Sequence, residues 1–322
     1  MKGICGLSNV GNSCYMNSAL QILSQMDELN DYLLTVQNVK NKVDSIVTSE
    51  WVQIYKLFRE NHGTILPNRL IDRIKQVSTQ KNRPEFSGND QSDSVEFFDF
   101  MLDCIHNSLN GIDSTLRVKR SHENPVEKYL DQIEHKEHSI VSTLFTTGSI
   151  YRYINPKTNK VEFDRIEHEQ LISLSIPEKQ PITIYDCFMD TFKEELLTGD
   201  NEWFDEKENI KKTVLKRSYL CHTPSILVIH LKRWKPNMMK KKIKIETPIV
   251  LDIQPFTIHK EPCEYRLFGI IQHEGSIHGG HYYASIHKNG VWFSIDDHRI
   301  QSISPEDIIH EGNYCLFYRK IK

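Results

Sequence analysis

Up to about Ser139 the apolar side chains recur every three or four positions, and beyond it they gather in short β-branched and aromatic runs. From Cys14 onward, Tyr15, Ala19, Ile22, Leu23 and Met26 describe one helical face, with Asn12 or Ser13 placed to cap it. Further helices are predicted at WVQIYKLFREN (Trp51 to Asn61), at PNRLIDRIKQV with Pro67 as its first helical residue, and at SVEFFDFMLDCIHNSL, where Val95, Phe98, Met101, Leu102, Ile105 and Leu109 form a stripe. Strands are predicted at GSIYRYI, KVEFDRI, LISLSI, SILVIHL, KIKIETPIVL, RLFGIIQ, HYYASIH, VWFSID and YCLFYRK, with hairpin turns at NPKTNK and HKNG. The pattern is α+β. Two basic stretches, KKTVLKR near Lys211 and MMKKKIKI near Met238, read as solvated edges or loops that interrupt the strands.

Length and composition narrow the function classes. A chain of 322 residues, 39% hydrophobic and 26% charged, suffices for one elaborate domain or two small ones. A formal net charge of -3 gives no global attraction to nucleic acid or to an anionic membrane. No run approaches the ~20 apolar residues of a membrane span, and MKGICGLSN lacks the apolar core of a signal peptide, so a cytoplasmic or nuclear protein is expected. The seven cysteines (Cys5, Cys14, Cys104, Cys187, Cys221, Cys263, Cys315) are scattered without a C-x-x-C pair, and free buried thiols are expected instead of a disulfide framework or a cysteine zinc site.

One cysteine sits where chemistry is favoured. Unpaired N–H groups and the positive end of the helix dipole at Cys14 favour thiolate over thiol; a small core residue is the other reading of the same position. A candidate base, His281, follows two glycines that permit unusual backbone angles and close approach of another chain. If Asn289 and Gly290 form a two-residue turn, Lys288 faces Val291 and Tyr283 faces Asp296, which makes His281 and Asp296 diagonal neighbours on one face. A carboxylate there fixes the imidazole tautomer and leaves the other ring nitrogen for a thiol. A slip of one residue would turn Asp296 away, with Asp297 as the fallback. His273, His278 and His281 crowd one segment, but their spacing fits neither a helical face nor a zinc pattern.

These stretches carry a family resemblance. GLSNVGNSCYMNSALQ resembles the cysteine box of the ubiquitin-specific proteases, and HEGSIHGGHYYASIHKNGVWFSIDD resembles their histidine box. QSDSVEFF, SILVIHLKRW and NYCLFYRK are similar to the family's central, palm-strand and closing segments, in family order. The resemblance implies a single catalytic domain over residues 1–322 of α+β, papain-like architecture, with a helical thumb (about 1–138) and mostly antiparallel fingers and palm (about 139–322). It implies hydrolysis of the isopeptide or peptide bond after the C-terminal glycine of ubiquitin, with Cys14 as nucleophile, His281 as base and then acid, Asp296 orienting the histidine, and the Asn9 amide meeting the oxyanion. No cofactor is required. Ubiquitin or its conjugates would be the partner, with neither nucleic acid nor membrane insertion expected.

The resemblance also assigns Gln91, Asp93 and Glu96 to holding the ubiquitin tail, and puts His273, Gly279, Gly280 and Tyr282 at the tail channel, whose narrowness would select a diglycine end. From spacing alone, Asp93 and Glu96 form a capping box, which is compatible with a tail contact. The chain departs from the family where many members carry two C-x-x-C pairs at the fingertips. SIYRYINPKTNKVEF and GDNEWFDEKENIKK contain no cysteine, so the fingers are expected to bind no metal. Ser92 replaces a second glutamine common in the family. A deubiquitinase, a protease for a ubiquitin-like modifier and a catalytically silent ubiquitin-binding module are the three readings carried forward.

Overall fold

The computed structural model describes residues 3–321 except 37, 38, 41, 61, 62, 119, 121–123, 277 and 278. Eight α-helices occur among the described residues: α1 (Cys14–Leu23), α2 (Asp27–Thr35), α3 (Asp44–Glu60), α4 (Asn68–Gln80), α5 (Ser94–Leu109), α6 (Pro125–Lys136), α7 (Ile140–Phe145) and α8 (Ile184–Thr191). The helix at Trp51 begins earlier than its apolar stripe suggested, at Asp44, because Val47 and Thr48 are buried along with Trp51. Pro67 is the N-cap of α4 and not its first helical residue. Buried α1 packs between α5 and the sheet strand Gly279–Lys288, so its apolar character extends around its circumference.

A large sheet runs in the order Arg299–Ile303, Val291–Asp296, Gly279–Lys288, Glu264–Ser276, Asn313–Lys320, Ile226–Leu231, Ile172–Leu174, with Val250–Asp252 added beside Glu264–Ser276. Only the Ile226–Leu231 and Ile172–Leu174 pair in it is parallel. A second, four-stranded sheet orders Val161–Glu169, Thr147–Ile154, Val214–His222 and Glu195–Leu197. KKTVLKR spans the end of strand Ile210–Lys212, a break at Thr213 and the start of Val214–His222, which belongs to a different sheet; its charged side chains are half-buried or exposed, in keeping with a solvated strand edge. One hydrophobic core joins α1 to α5 with the strands around His281, and another lies under the opposite face of the large sheet.

The hairpin that carries the candidate base has the register expected from its turn. Asn289 and Gly290 both have positive φ, 52° and 81°, as a two-residue turn of this hand requires, and Lys288 faces Val291 through to Ala284 opposite Ile295. No described helix is long and apolar enough to cross a membrane.

Candidate active site

Cys14 is the first residue of α1, 3% exposed, with Ser13 at the N-cap. The Ser13 hydroxyl does not cap the helix; it accepts from Val10 N–H at 2.8 Å and holds the preceding loop. Burial pushes the Cys14 thiol above its ordinary value, the N–H of Tyr282 donating to the sulfur draws it down, and the Asp297 carboxylate pushes it up again. The helix terminus favours thiolate over thiol, as expected, but burial acts against it and is the larger influence.

His281 Nε2–H donates to Asp296 Oδ1 at 2.6 Å, both side chains being about two-fifths exposed. This is the diagonal contact the hairpin register implied. Nε2 is thereby fixed as the protonated nitrogen, and Nδ1 is left for a proton from elsewhere. Asp297 does not serve as a second partner for the imidazole. Its φ of +52° turns it out of the strand, where Oδ2 accepts from Asn9 Nδ2 at 2.8 Å and Oδ1 from Asn17 Nδ2 at 2.7 Å. Adjacent aspartates thus face two ways, one to the histidine and one to the loop and helix of the cysteine. Asn9 Oδ1 accepts from Ser13 N–H at 3.2 Å, which fixes the amide's orientation and leaves it one N–H beyond the bond to Asp297.

Of the two glycines before His281, Gly280 is needed for space and not for free backbone angles. Neither Gly279 nor Gly280 has positive φ. A Cβ on Gly280 would lie 2.1 Å from His273 Nε2 and 2.8 Å from Glu274 O, while Gly279 has open space around it. Gly280 is thus a place for the His273 ring. His273, 3% exposed, packs against Tyr282 with ring centroids 4.5 Å apart, and its Nδ1 accepts from Lys240 Nζ at 2.8 Å. Burial first, and Lys240 second, pull its pKa down to about 4, so it stands neutral. His278 lies outside the described residues.

Asp93 caps α5, its Oδ1 accepting from Val95 N–H at 2.7 Å and Glu96 N–H at 3.1 Å. Oδ2 takes the hydroxyls of Tyr314 at 2.5 Å and Tyr282 at 3.4 Å. The predicted cap is present, but no bond from Glu96 back to the cap is recorded, so the reciprocal half of the box is corrected. Exposed Glu96 turns to the cleft instead. Gln91 Nε2 donates to Gly280 O, and Gly280 N–H donates to Gln91 Oε1, each at 3.0 Å.

Between α5 and the two sheets lies a cleft of about 900 Å3. Its lining includes Asp93, Glu96, Asp99, Asp103 and Glu169 and no described lysine or arginine. Burial, then Asp103, raises Asp99 to about 6; burial leads in raising Glu96, Asp103 and Glu169 as well. Carboxyls held above their usual range and facing an open cleft favour a cationic guest. Asp99, Asp103, Glu169, Tyr314, Lys240 and Asn17 were not found from sequence. For Asp99, Asp103 and Asn17 a helical signal existed, since Asp99 and Asp103 continue Glu96 at three- and four-residue steps and Asn17 follows Cys14 by three.

Among the described residues, His281, Asp296 and Asp297 form the one group of three metal-type donors whose atoms lie within 4.8 Å of one another. Asp296 Oδ1 accepts from His281 Nε2, and both Asp297 oxygens accept from Asn9 and Asn17. At the turn end of the hairpin of Thr147–Ile154 and Val161–Glu169, Tyr153, Phe163 and Trp203 stack, with Trp203 5.9 Å from Tyr153 and 6.0 Å from Phe163 by ring centroid. Lys212 pairs with Asp205 at 2.7 Å beside them. This set does not fit a structural zinc, which takes thiolates and imidazoles in a tetrahedron.

A cysteine opening a buried helix, packed on a twisted antiparallel sheet that presents a histidine, is the architecture of the α+β, papain-like cysteine peptidases. The family model for ubiquitin carboxyl-terminal hydrolase matches residues 5–318, and the chain belongs to that family. It is 27% identical over 319 residues to ubiquitin carboxyl-terminal hydrolase 17-like protein B of Mus musculus, covering 98% of this chain and 63% of that protein. Against ubiquitin carboxyl-terminal hydrolase 2 of Homo sapiens it is 27% identical over 343 residues, covering 98% and 55%. The chain thus spans between about half and two thirds of these relatives' length. In structure it resembles a chain of the SAGA DUB module bound to monoubiquitin, with a TM-score of 0.80 at 24% identity over 100% of this chain and 70% of that one. A yeast SAGA DUBm structure follows at 0.76 and 25%, covering 100% and 69%.

Proposed function

We propose that this protein is a thiol deubiquitinase that hydrolyses the bond after the C-terminal glycine of ubiquitin, acting on ubiquitin conjugates in the cytoplasm or nucleus. The observation that carries the reading is the 2.6 Å bond from His281 Nε2 to Asp296, on a strand whose next residue, Tyr282, gives its N–H to the Cys14 sulfur. Membership of the family and the acidic cleft beside this centre support it.

In the mechanism, His281 Nδ1 takes the Cys14 proton as the substrate carbonyl arrives, and the sulfur attacks that carbon. The imidazolium, stabilised by Asp296, then gives the proton to the departing lysine amine. Water, deprotonated by His281, hydrolyses the thioester and frees Cys14. Asn9 directs its remaining N–H at the oxyanion, a role in which one donor is typically worth about 3 kcal/mol. The substrate's basic tail lies along Glu96, Asp99 and Asp103. Residues up to about 138 form the thumb and those beyond it the fingers and palm of one catalytic domain.

The test is ubiquitin carrying an electrophilic C-terminus. The wild type is expected to form a covalent adduct and Cys14→Ala none. Reaction solely with probes built on ubiquitin-like modifiers would move the substrate to that class, and binding without adduct would leave a silent binding module.

A further inference from the structure

The hairpin register decides which backbone groups of the Gly279–Lys288 strand point away from its neighbour Glu264–Ser276. Because a two-residue turn makes the Lys288–Val291 pair hydrogen-bonded, the even-numbered residues of this strand turn their N–H and C=O toward Val291–Asp296. Pairing with that neighbour runs from Lys288 only as far as Ala284. The next two even positions therefore have no strand partner on that side. Tyr282 spends its N–H on the Cys14 sulfur, and Gly280 spends both backbone groups on the Gln91 carboxamide.

A carboxamide is a peptide unit in miniature, with one carbonyl and an N–H, and two bonds of 3.0 Å to one residue reproduce what an added strand makes there. Gln91 and Gly280 both line the acidic cleft, next to Tyr282 and Asp93. Gln91 is exposed, so nothing packs it permanently in place. We propose that Gln91 is a placeholder for the substrate main chain: an extended tail enters as an extra edge strand along Gly280 and Tyr282, displaces the Gln91 carboxamide, and lays its terminal carbonyl at Cys14. This rests on the peptidase reading above and adds to it how the free enzyme keeps that edge satisfied and closed. Selectivity for an extended, unbranched tail follows, since main-chain pairing beside Gly280 leaves no room for a folded segment.

An intramolecular competitor raises the apparent KM in inverse proportion to the fraction of time it leaves the edge free. Steady-state kinetics on ubiquitin with a C-terminal fluorogenic amide are expected to show KM falling roughly three- to tenfold in Gln91→Ala, with kcat close to the wild type, because two exposed hydrogen bonds no longer have to be exchanged. Gln91→Asn, too short to reach both groups, is expected to behave the same way, which guards against a folding defect in either variant. Amide exchange gives a second readout: Gly280 N–H is protected in the free wild type, exchanges fast in free Gln91→Ala, and is equally protected in both after reaction with the ubiquitin probe. A raised KM with kcat unchanged would make Gln91 a holder of the tail, as the resemblance implied, and a lower kcat without a fall in KM would make it a fixed brace of the histidine strand; either overturns the proposal. No turnover or labelling by the wild type would sink the peptidase reading and this one with it.

Discussion

Asn9, Asn17 and Asp297 show how single side chains set the chemistry of Cys14. Asp297 holds Asn9 on the loop and Asn17 on α1 with its two oxygens, so one carboxylate joins the histidine hairpin to the cysteine helix. Asn9→Ala is expected to lower kcat for a ubiquitin amide roughly a hundredfold with little change in KM, as loss of an oxyanion donor does. Unchanged turnover would remove Asn9 from the mechanism. Asp297→Asn should affect Cys14 in the opposite sense to its cost in positioning: removing the negative charge lets the thiol ionise at lower pH. The pH midpoint of alkylation by a small haloacetamide is expected to shift down in this variant, and an unmoved midpoint would show that the carboxylate does not reach the sulfur electrostatically. The residue types were readable from sequence, but their commitments were not. Asn9 and Asp297 meet across 288 positions, and no local pattern distinguishes an aspartate that faces a histidine from its neighbour that faces two asparagines.

Among elements, α5 carries two functions on one helix. Its first turn is capped by Asp93, which also accepts from two buried tyrosines of the large sheet. Asp93→Ala removes a cap worth about 1 kcal/mol and strands hydroxyls costing about 1 to 3 kcal/mol each, so chemical denaturation should show a loss of roughly 3 kcal/mol. Asp93→Asn, which keeps an acceptor for the cap, should recover part of it. Further along, Asp99 titrates near 6 in the folded protein, above its ordinary 3.8. A carboxyl raised on folding disfavours the folded state once ionised, so its contribution to stability falls as pH rises from about 3.8 to about 6. Binding runs the other way. Below about 6 the carboxyl is neutral and loses its attraction for a basic tail, so KM for ubiquitin is expected to rise as pH falls through that value, and Asp99→Asn should abolish the inflection. An inflection persisting in the variant would place the titration elsewhere. The stripe of α5 and the two-residue hairpin turn were legible because each obeys a short period. By contrast α2, α6, α7 and α8 were not predicted, because their apolar faces are short and take their stability from packing.

Across the whole molecule, the cleft and the second sheet share a face. Pairing of Thr147 with Glu169 and of Tyr153 with Phe163 puts the aromatic cluster on the side that bears Glu169 at the cleft, six residues or roughly 20 Å further out along the strand. A small globular modifier whose tail lies in the cleft would rest its body there. Trp203→Ala is expected to raise KM for intact ubiquitin while leaving kcat unchanged, and a chelator should not lower the melting temperature of the wild type. Stoichiometric zinc in the purified protein would overturn the aromatic account of this hairpin end.

By itself the sequence determined what depends on short range. It placed Cys14 at a helix start and, given a two-residue turn at Asn289 and Gly290, His281 and Asp296 on one hairpin face, since turn length and strand periodicity then fix the register. Tertiary structure alone decided the burial that raises the thiol's pKa against the pull of the helix terminus. It also decided which polar atoms are engaged: Asp93 with two tyrosines, Asp297 with two asparagines, Gln91 with the backbone of Gly280 at a separation of 189 residues. The reason is that hydrogen bonds and burial between elements distant in the chain depend on how those elements pack, which no local periodicity records.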